Sequence, residues 1–141
     1  MDGKLSAYRT ASISGQSQLD LLLTVYDGAI VAFRAARQFY DDGDLGAGHE
    51  QLQKARRFVT HLYTTLDPDQ GGEVAANLGK LYAFVINQIS VAEATKDLAV
   101  IDDNITILSN VRAGWVELKQ QENAEPAPAP AVTAGCFSDS G

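Results

Sequence analysis

The chain has a single cysteine, Cys136, in 141 residues. No disulfide can form within it, and its thiol content does not point to an oxidising compartment. Proline is nearly as scarce: Pro68 is the only one before residue 126, and Pro126, Pro128 and Pro130 then follow closely. Long proline-free stretches leave helices free to run. No apolar run approaches the roughly 18 residues of a bilayer-spanning helix, so membrane insertion is not expected. Basic residues are outnumbered: 11 Lys and Arg stand against 18 Asp and Glu, giving a formal charge of −7. With no basic stripe, that balance argues against a nucleic-acid partner. The opening Met-Asp-Gly-Lys-Leu-Ser lacks the charged and apolar regions of a secretory signal, so a cytoplasmic protein is expected.

What is present is helical. At 45% apolar residues the chain can bury a core without disulfides or metal. Periodicity predicts four helices, over about 18–40, 45–66, 73–96 and 98–121. Ser17-Gln18-Leu19-Asp20 has the pattern of a capping box, and Gly43 followed by Asp44 suits a helix stop and a new N-cap. Asp67-Pro68-Asp69-Gln70-Gly71-Gly72 reads as a turn. Equal long helices with short links predict an all-α, antiparallel up-down four-helix bundle. After Glu122 the alternation of Pro and Ala offers little to bury, so residues 123–141 are expected to form a disordered tail. Residues 1–16 form a separate N-terminal segment and 17–122 the bundle.

Catalytic patterns are missing. His49 and His61 both fall on the second predicted helix, without the paired Glu-x-x-His of a di-iron bundle and without metal-ligand spacing. His61 on a bundle surface would suit a phosphotransfer module, yet Leu62-Tyr63-Thr64 follows it where such modules carry Lys-Gly. A solvated imidazole is the preferred reading. Gly71-Gly72 before a helix could hold an anion, but Glu73 would repel it. No enzyme activity and no cofactor are expected.

The first helix carries more apolar surface than one core stripe needs. Leu22, Leu23, Tyr26, Ile30 and Phe33 make a core face. Leu21, Val25, Gly28, Ala32, Ala35 and Phe39 make a second, small in its middle. On the third helix Tyr82, Ile86 and Ile89 similarly widen the apolar arc, while Phe84 lies elsewhere. A patch of that size calls for a cover, and a partner helix in a groove is the simplest one. A homodimer through the second stripe is another. Tyr8 and Ile13, isolated in a polar N-terminal run, fit either a temporary cover or plain disorder.

Tyr8, Ile13 and Ser17, then Leu21-Leu22-Leu23-Thr24-Val25-Tyr26-Asp27-Gly28-Ala29-Ile30, resemble the flagellin export chaperones, the FliS-type proteins. The match continues in order through Gly43-Asp44, Leu52-Gln53-Lys54-Ala55 and Leu66-Asp67. It then takes in Gly71-Gly72-Glu73-Val74-Ala75-Ala76-Asn77-Leu78, Leu81-Tyr82, Asp97, Ile107-Leu108, Arg112-Ala113 and Trp115. It spans about residues 8–118. The family's Thr-Ala-Ser is Gly15-Gln16-Ser17 here, its Met is Thr24 and the usual Leu is Val25. The resemblance implies a non-enzymatic bundle that holds the disordered C-terminal segment of flagellin in the cytoplasm. It implies further that this prevents premature polymerisation and delivers the client to the flagellar export gate. On that reading Tyr8 and Ile13 are expected to be the lid. Leu21, Val25, Tyr82, Ile86 and Ile89 are expected to line the groove.

Overall fold

The computed structural model describes residues 7–8 and 15–124. Four helices follow one another: α1 (Gly15–Asp41), α2 (Leu45–Thr64), α3 (Pro68–Thr95) and α4 (Leu98–Ala124). At 1.5 Å per residue they are about 30–42 Å long. Each link is two or three residues, so successive helices run antiparallel. α1 and α3 each pack against α2 and α4, which makes a four-cornered, up-down bundle as expected.

The punctuation follows local chemistry. Gly43, at φ 84°, takes the left-handed position after α1, which a Cβ would disfavour. Asp44 caps α2 by accepting from the Ala47 N–H at 3.2 Å. Asp67 caps α3 through the N–H groups of Asp69 and Gln70, with Pro68 at the first helical position, where it gives up no intrahelical bond. The predicted turn at 68–72 survives inside α3 as a break at Gly72, where φ is 57° and ψ −128°. Three boundaries differ from expectation by three residues or more, the largest shift being at α3, which begins at Pro68 and not at about 73. α1 begins at Gly15, so Ser17 lies in its first turn and is not the N-cap. α4 runs to Ala124, past the expected bundle end at 122, because the last residues before Pro126 remain good helix formers. The remainder of the predicted tail, with Cys136, lies outside the described residues.

The core is a column of fully enclosed side chains, with Tyr26 and Phe33 from α1 and Leu52 and Val59 from α2. Tyr82 and Ile89 come from α3, and Leu108 and Trp115 from α4. On α3 the inward row is Ala75, Tyr82, Val85, Ile89 and Ala92, while the neighbouring Leu81 is only partly buried. Apolar residues occupy so much of α3 that periodicity leaves its rotation ambiguous, and packing decides it. α1 shows the same effect. Ala32, placed on the outer stripe by spacing, is buried at 1% exposure.

The small middle of that outer stripe is already used within the chain. A Cβ on Gly28 would lie 2.5 Å from the Phe58 ring, so Phe58 of α2 rests directly on the α1 backbone. The reciprocal contact comes from Tyr40 of α1, whose ring sits where a Cβ on Gly48 of α2 would come within 2.6 Å. Two rings seated on two glycines lock α1 and α2 in register.

Ion pairs line the other seams. Arg37–Asp102, Arg112–Asp27 and Lys119–Asp20, at 2.5–2.6 Å, link α1 to α4. Arg56–Glu93 at 3.1 Å links α2 to α3. The three α1–α4 pairs are largely exposed, and each is worth at most about 1 kcal/mol.

Candidate functional site

The site lies at the end of the bundle where α1 begins, α2 ends and α3 begins. Residues 7 and 8 are seated there. The Asp67 N–H donates to the Ala7 carbonyl at 2.7 Å, closing the chain onto the α2–α3 link. Gly71 makes room for this: a Cβ on it would fall 2.7 Å from the Ala7 backbone. Tyr8 then turns inward, only 7% exposed. Its ring meets Trp115 edge-on, with centroids 5.7 Å apart and planes at 75°, a favourable arrangement for two aromatic quadrupoles.

The Tyr8 hydroxyl donates to the Tyr82 hydroxyl at 2.5 Å, and Tyr82 in turn is hydrogen-bonded to Tyr26. Three phenols from the N-terminal segment, α3 and α1 thus share a buried chain of hydroxyls. Burial pushes all three well above the ordinary phenol range, and repulsion between neighbouring ionised phenols adds to it. They remain neutral donors and acceptors at any physiological pH.

Beside Tyr8 opens a pocket of about 130 Å³, walled by Gln18, Leu21, Leu22, Val25, His61, Leu62 and Thr65. Leu21 is 58% exposed at its mouth and Val25 is half-buried. A second hollow, between α2 and α3 at the same end, is lined by Tyr63, Leu66, Ala75, Ala76, Gly79, Lys80 and Ala83. Tyr63 and, further along α3, Phe84 are exposed beside it.

Of the expected site residues, the structure brings Tyr8, Leu21 and Val25 together around one pocket. Tyr82 sits beneath Tyr8, wholly enclosed. Ile86 is partly buried against the core, and Ile89 is fully buried within it. Tyr82 and Ile89 therefore offer no free surface while Tyr8 is seated, because α3 is rotated to point them inward. Ile13 lies outside the described residues. Sequence reasoning missed Gln18, although it shares the helical spacing of Leu21, Leu22 and Val25. It also missed the second hollow, where Gly79 signals an open floor.

Among the described residues no group of three His, Cys, Asp or Glu side chains could hold a metal ion. None of the described helices is long and apolar enough to cross a membrane. His61 is exposed at the pocket rim.

The family model described as flagellar protein FliS matches residues 1–122. The flagellar secretion chaperone FliS of Vibrio cholerae is 30% identical over 122 residues, covering 84% of this chain and 90% of that protein. Its counterpart in Salmonella typhimurium is 32% identical over 109 residues, covering 77% of this chain and 81% of its own length. The one in Bacillus subtilis is 23% identical over 120 residues, covering 85% and 89%. These relatives are named chaperones, not enzymes. By that match the chain, a helical bundle that presents apolar pockets, belongs to the FliS family and has a chaperone role in flagellar export.

Proposed function

We propose that the chain acts in the cytoplasm by binding the disordered C-terminal segment of flagellin. It keeps that segment from polymerising early and passes it to the flagellar export gate. The observation that supports this reading is the seating of Tyr8. A piece of the chain's own N-terminus already occupies an apolar seat on the bundle. It is held by one backbone bond, one long bond from the Gln18 amide, one phenol and one ring contact. A segment so held is the cover of a peptide site. A client helix or strand entering at Leu21 and Val25 would displace it and uncover Tyr82 and Trp115, which enlarges the apolar surface available.

Calorimetric titration with a peptide of the C-terminal flagellin segment from the same bacterium tests the proposal. One-to-one binding with a clearly negative heat-capacity change is expected, the mark of apolar burial. A folded protein with no heat of binding would refute it. Removing residues 1–14 should raise binding of a hydrophobic dye, since the Tyr8 seat would be left open. Unchanged dye fluorescence would mean that this segment covers nothing.

A further inference from the structure

Gln18 stands out among the polar residues of the site. It is only 6% exposed, in the wall of the Leu21–Val25–Leu62 pocket. Its Nε2 donates to the Tyr8 carbonyl at 3.4 Å, which is long for such a bond. Its Oε1 is buried with no hydrogen-bond partner among the described residues. A primary amide offers two donors and an acceptor with two lone pairs, and leaving them unpaired in the interior is costly. The other polar group in the wall does not relieve it: the Thr65 hydroxyl is committed to the His61 carbonyl at 2.8 Å. The His61 imidazole lies exposed at the rim. Asn104 of α4 is also buried and unpaired, but it stands in the Ile101–Leu108 row of the core. Gln18 alone of the two lines a pocket.

With residues 7–8 seated, then, Gln18 is half-used. It already reads a peptide group, but only through its carbonyl and only at long range. A peptide backbone offers an N–H and a C=O, the pair that a side-chain amide can satisfy together. The pocket beside it suits an aliphatic side chain, being close in size to cavities of about 150 Å³ that admit a benzene ring.

We propose that Gln18 is the residue that reads the client's backbone. While Tyr8 is seated, the Gln18 amide holds the Tyr8 carbonyl. When the client enters, the amide is handed over. Nε2 then donates to a client C=O and Oε1 accepts a client N–H, at the residue whose aliphatic side chain fills the pocket. Gln18 would thus set the register of the bound segment without reading its sequence. It would also make exchange of Tyr8 for the client favourable in hydrogen bonds as well as in apolar area. The inference rests on the flagellin reading given above.

The test couples Gln18 to the client backbone. The full chain, its near-isosteric variant Gln18→Met and a second variant Gln18→Leu are titrated with the C-terminal flagellin peptide. Peptides N-methylated singly at each aliphatic residue and the one after it follow. Circular dichroism melts establish that both variants fold. One N-methyl position should weaken binding about tenfold against the unsubstituted chain and less than about twofold against either variant, since only the former has a bond to lose. If every N-methyl peptide loses the same factor against all three proteins, Gln18 only holds Tyr8 and the inference is wrong. If the unmodified peptide does not bind the unsubstituted chain, the flagellin reading itself fails and takes this one with it.

Discussion

The two ends of the bundle are closed in different ways. At the far end, where α1 passes into α2 and α3 into α4, closure is built from the helices themselves. Tyr40 lies on Gly48, Arg37 pairs with Asp102, and Glu93 gathers Arg56 and Gln53. At the near end the lid of the core is a separate segment. Ala7 and Tyr8 are held by Asp67, Tyr82 and Trp115, beside a pocket whose buried amide is only half satisfied. Undoing the far end disturbs elements that carry the fold. Undoing the near end disturbs the seat of residues 7 and 8. One end of the same bundle is thus closed by its own helices, and the other by a short N-terminal stretch.

Trp115→Ala strikes where that division should fail, since this side chain serves both the core and the Tyr8 seat. A loss of about 3–5 kcal/mol in urea unfolding is expected. A loss below about 1 kcal/mol would mean that Trp115 only supports Tyr8, and that the near end is even more separable. Two glycine substitutions give the sharpest contrast. Gly48→Ala drives a methyl into the Tyr40 ring between two helices and should cost about 1–3 kcal/mol. Gly71→Ala drives the same methyl into Ala7 and, equally closely, against the Ala75 Cβ of α3 itself. It should cost less than Gly48→Ala, under about 1 kcal/mol in urea unfolding, while the fluorescence of Trp115, the only tryptophan, shifts as Tyr8 leaves. Equal losses from the two would break the comparison.

Alkaline titration probes the phenol chain. Folding raises the pKa of Tyr8, Tyr26 and Tyr82 above the unfolded value near 10. The unfolded chain therefore releases protons first. The stability contributed is complete below about pH 10 and is lost as pH rises from there through the folded values. Unfolding free energy measured from pH 8 to 11.5 should be flat and then fall, and Tyr82→Phe should make the fall shallower. The smallest effect belongs to the surface. Arg37→Ala at the far end and Lys119→Ala at the near end should each cost under about 1 kcal/mol, with little difference between them.

Much of this was legible beforehand. The helix count, the stop at Gly43, the cap at Asp44 and the core role of Tyr26 follow from spacing and from local backbone chemistry. Local rules suffice there because the interaction that decides each feature spans only a few residues. The cap at Asp67 was missed, since 67–72 read as a turn. The rotation of α3 did not follow, since an apolar arc that wide lets either Leu81 or Tyr82 face inward. Nor did the fate of Gly28, whose open face waits for Phe58 from another helix and not for a partner protein.

The sequence by itself determined that this chain is a four-helix bundle of one family, with more apolar surface than a bundle needs. Hydrophobic period and turn chemistry are carried along the chain, and they need no knowledge of what packs against what. Only the tertiary structure decided which of those apolar residues are spoken for. It turned Tyr82 and Ile89 inward, left Leu21 at a pocket mouth, and set Gln18 against the Tyr8 carbonyl with one side of its amide unused. Those outcomes depend on contacts between residues 10 to 74 positions apart, which no local pattern encodes.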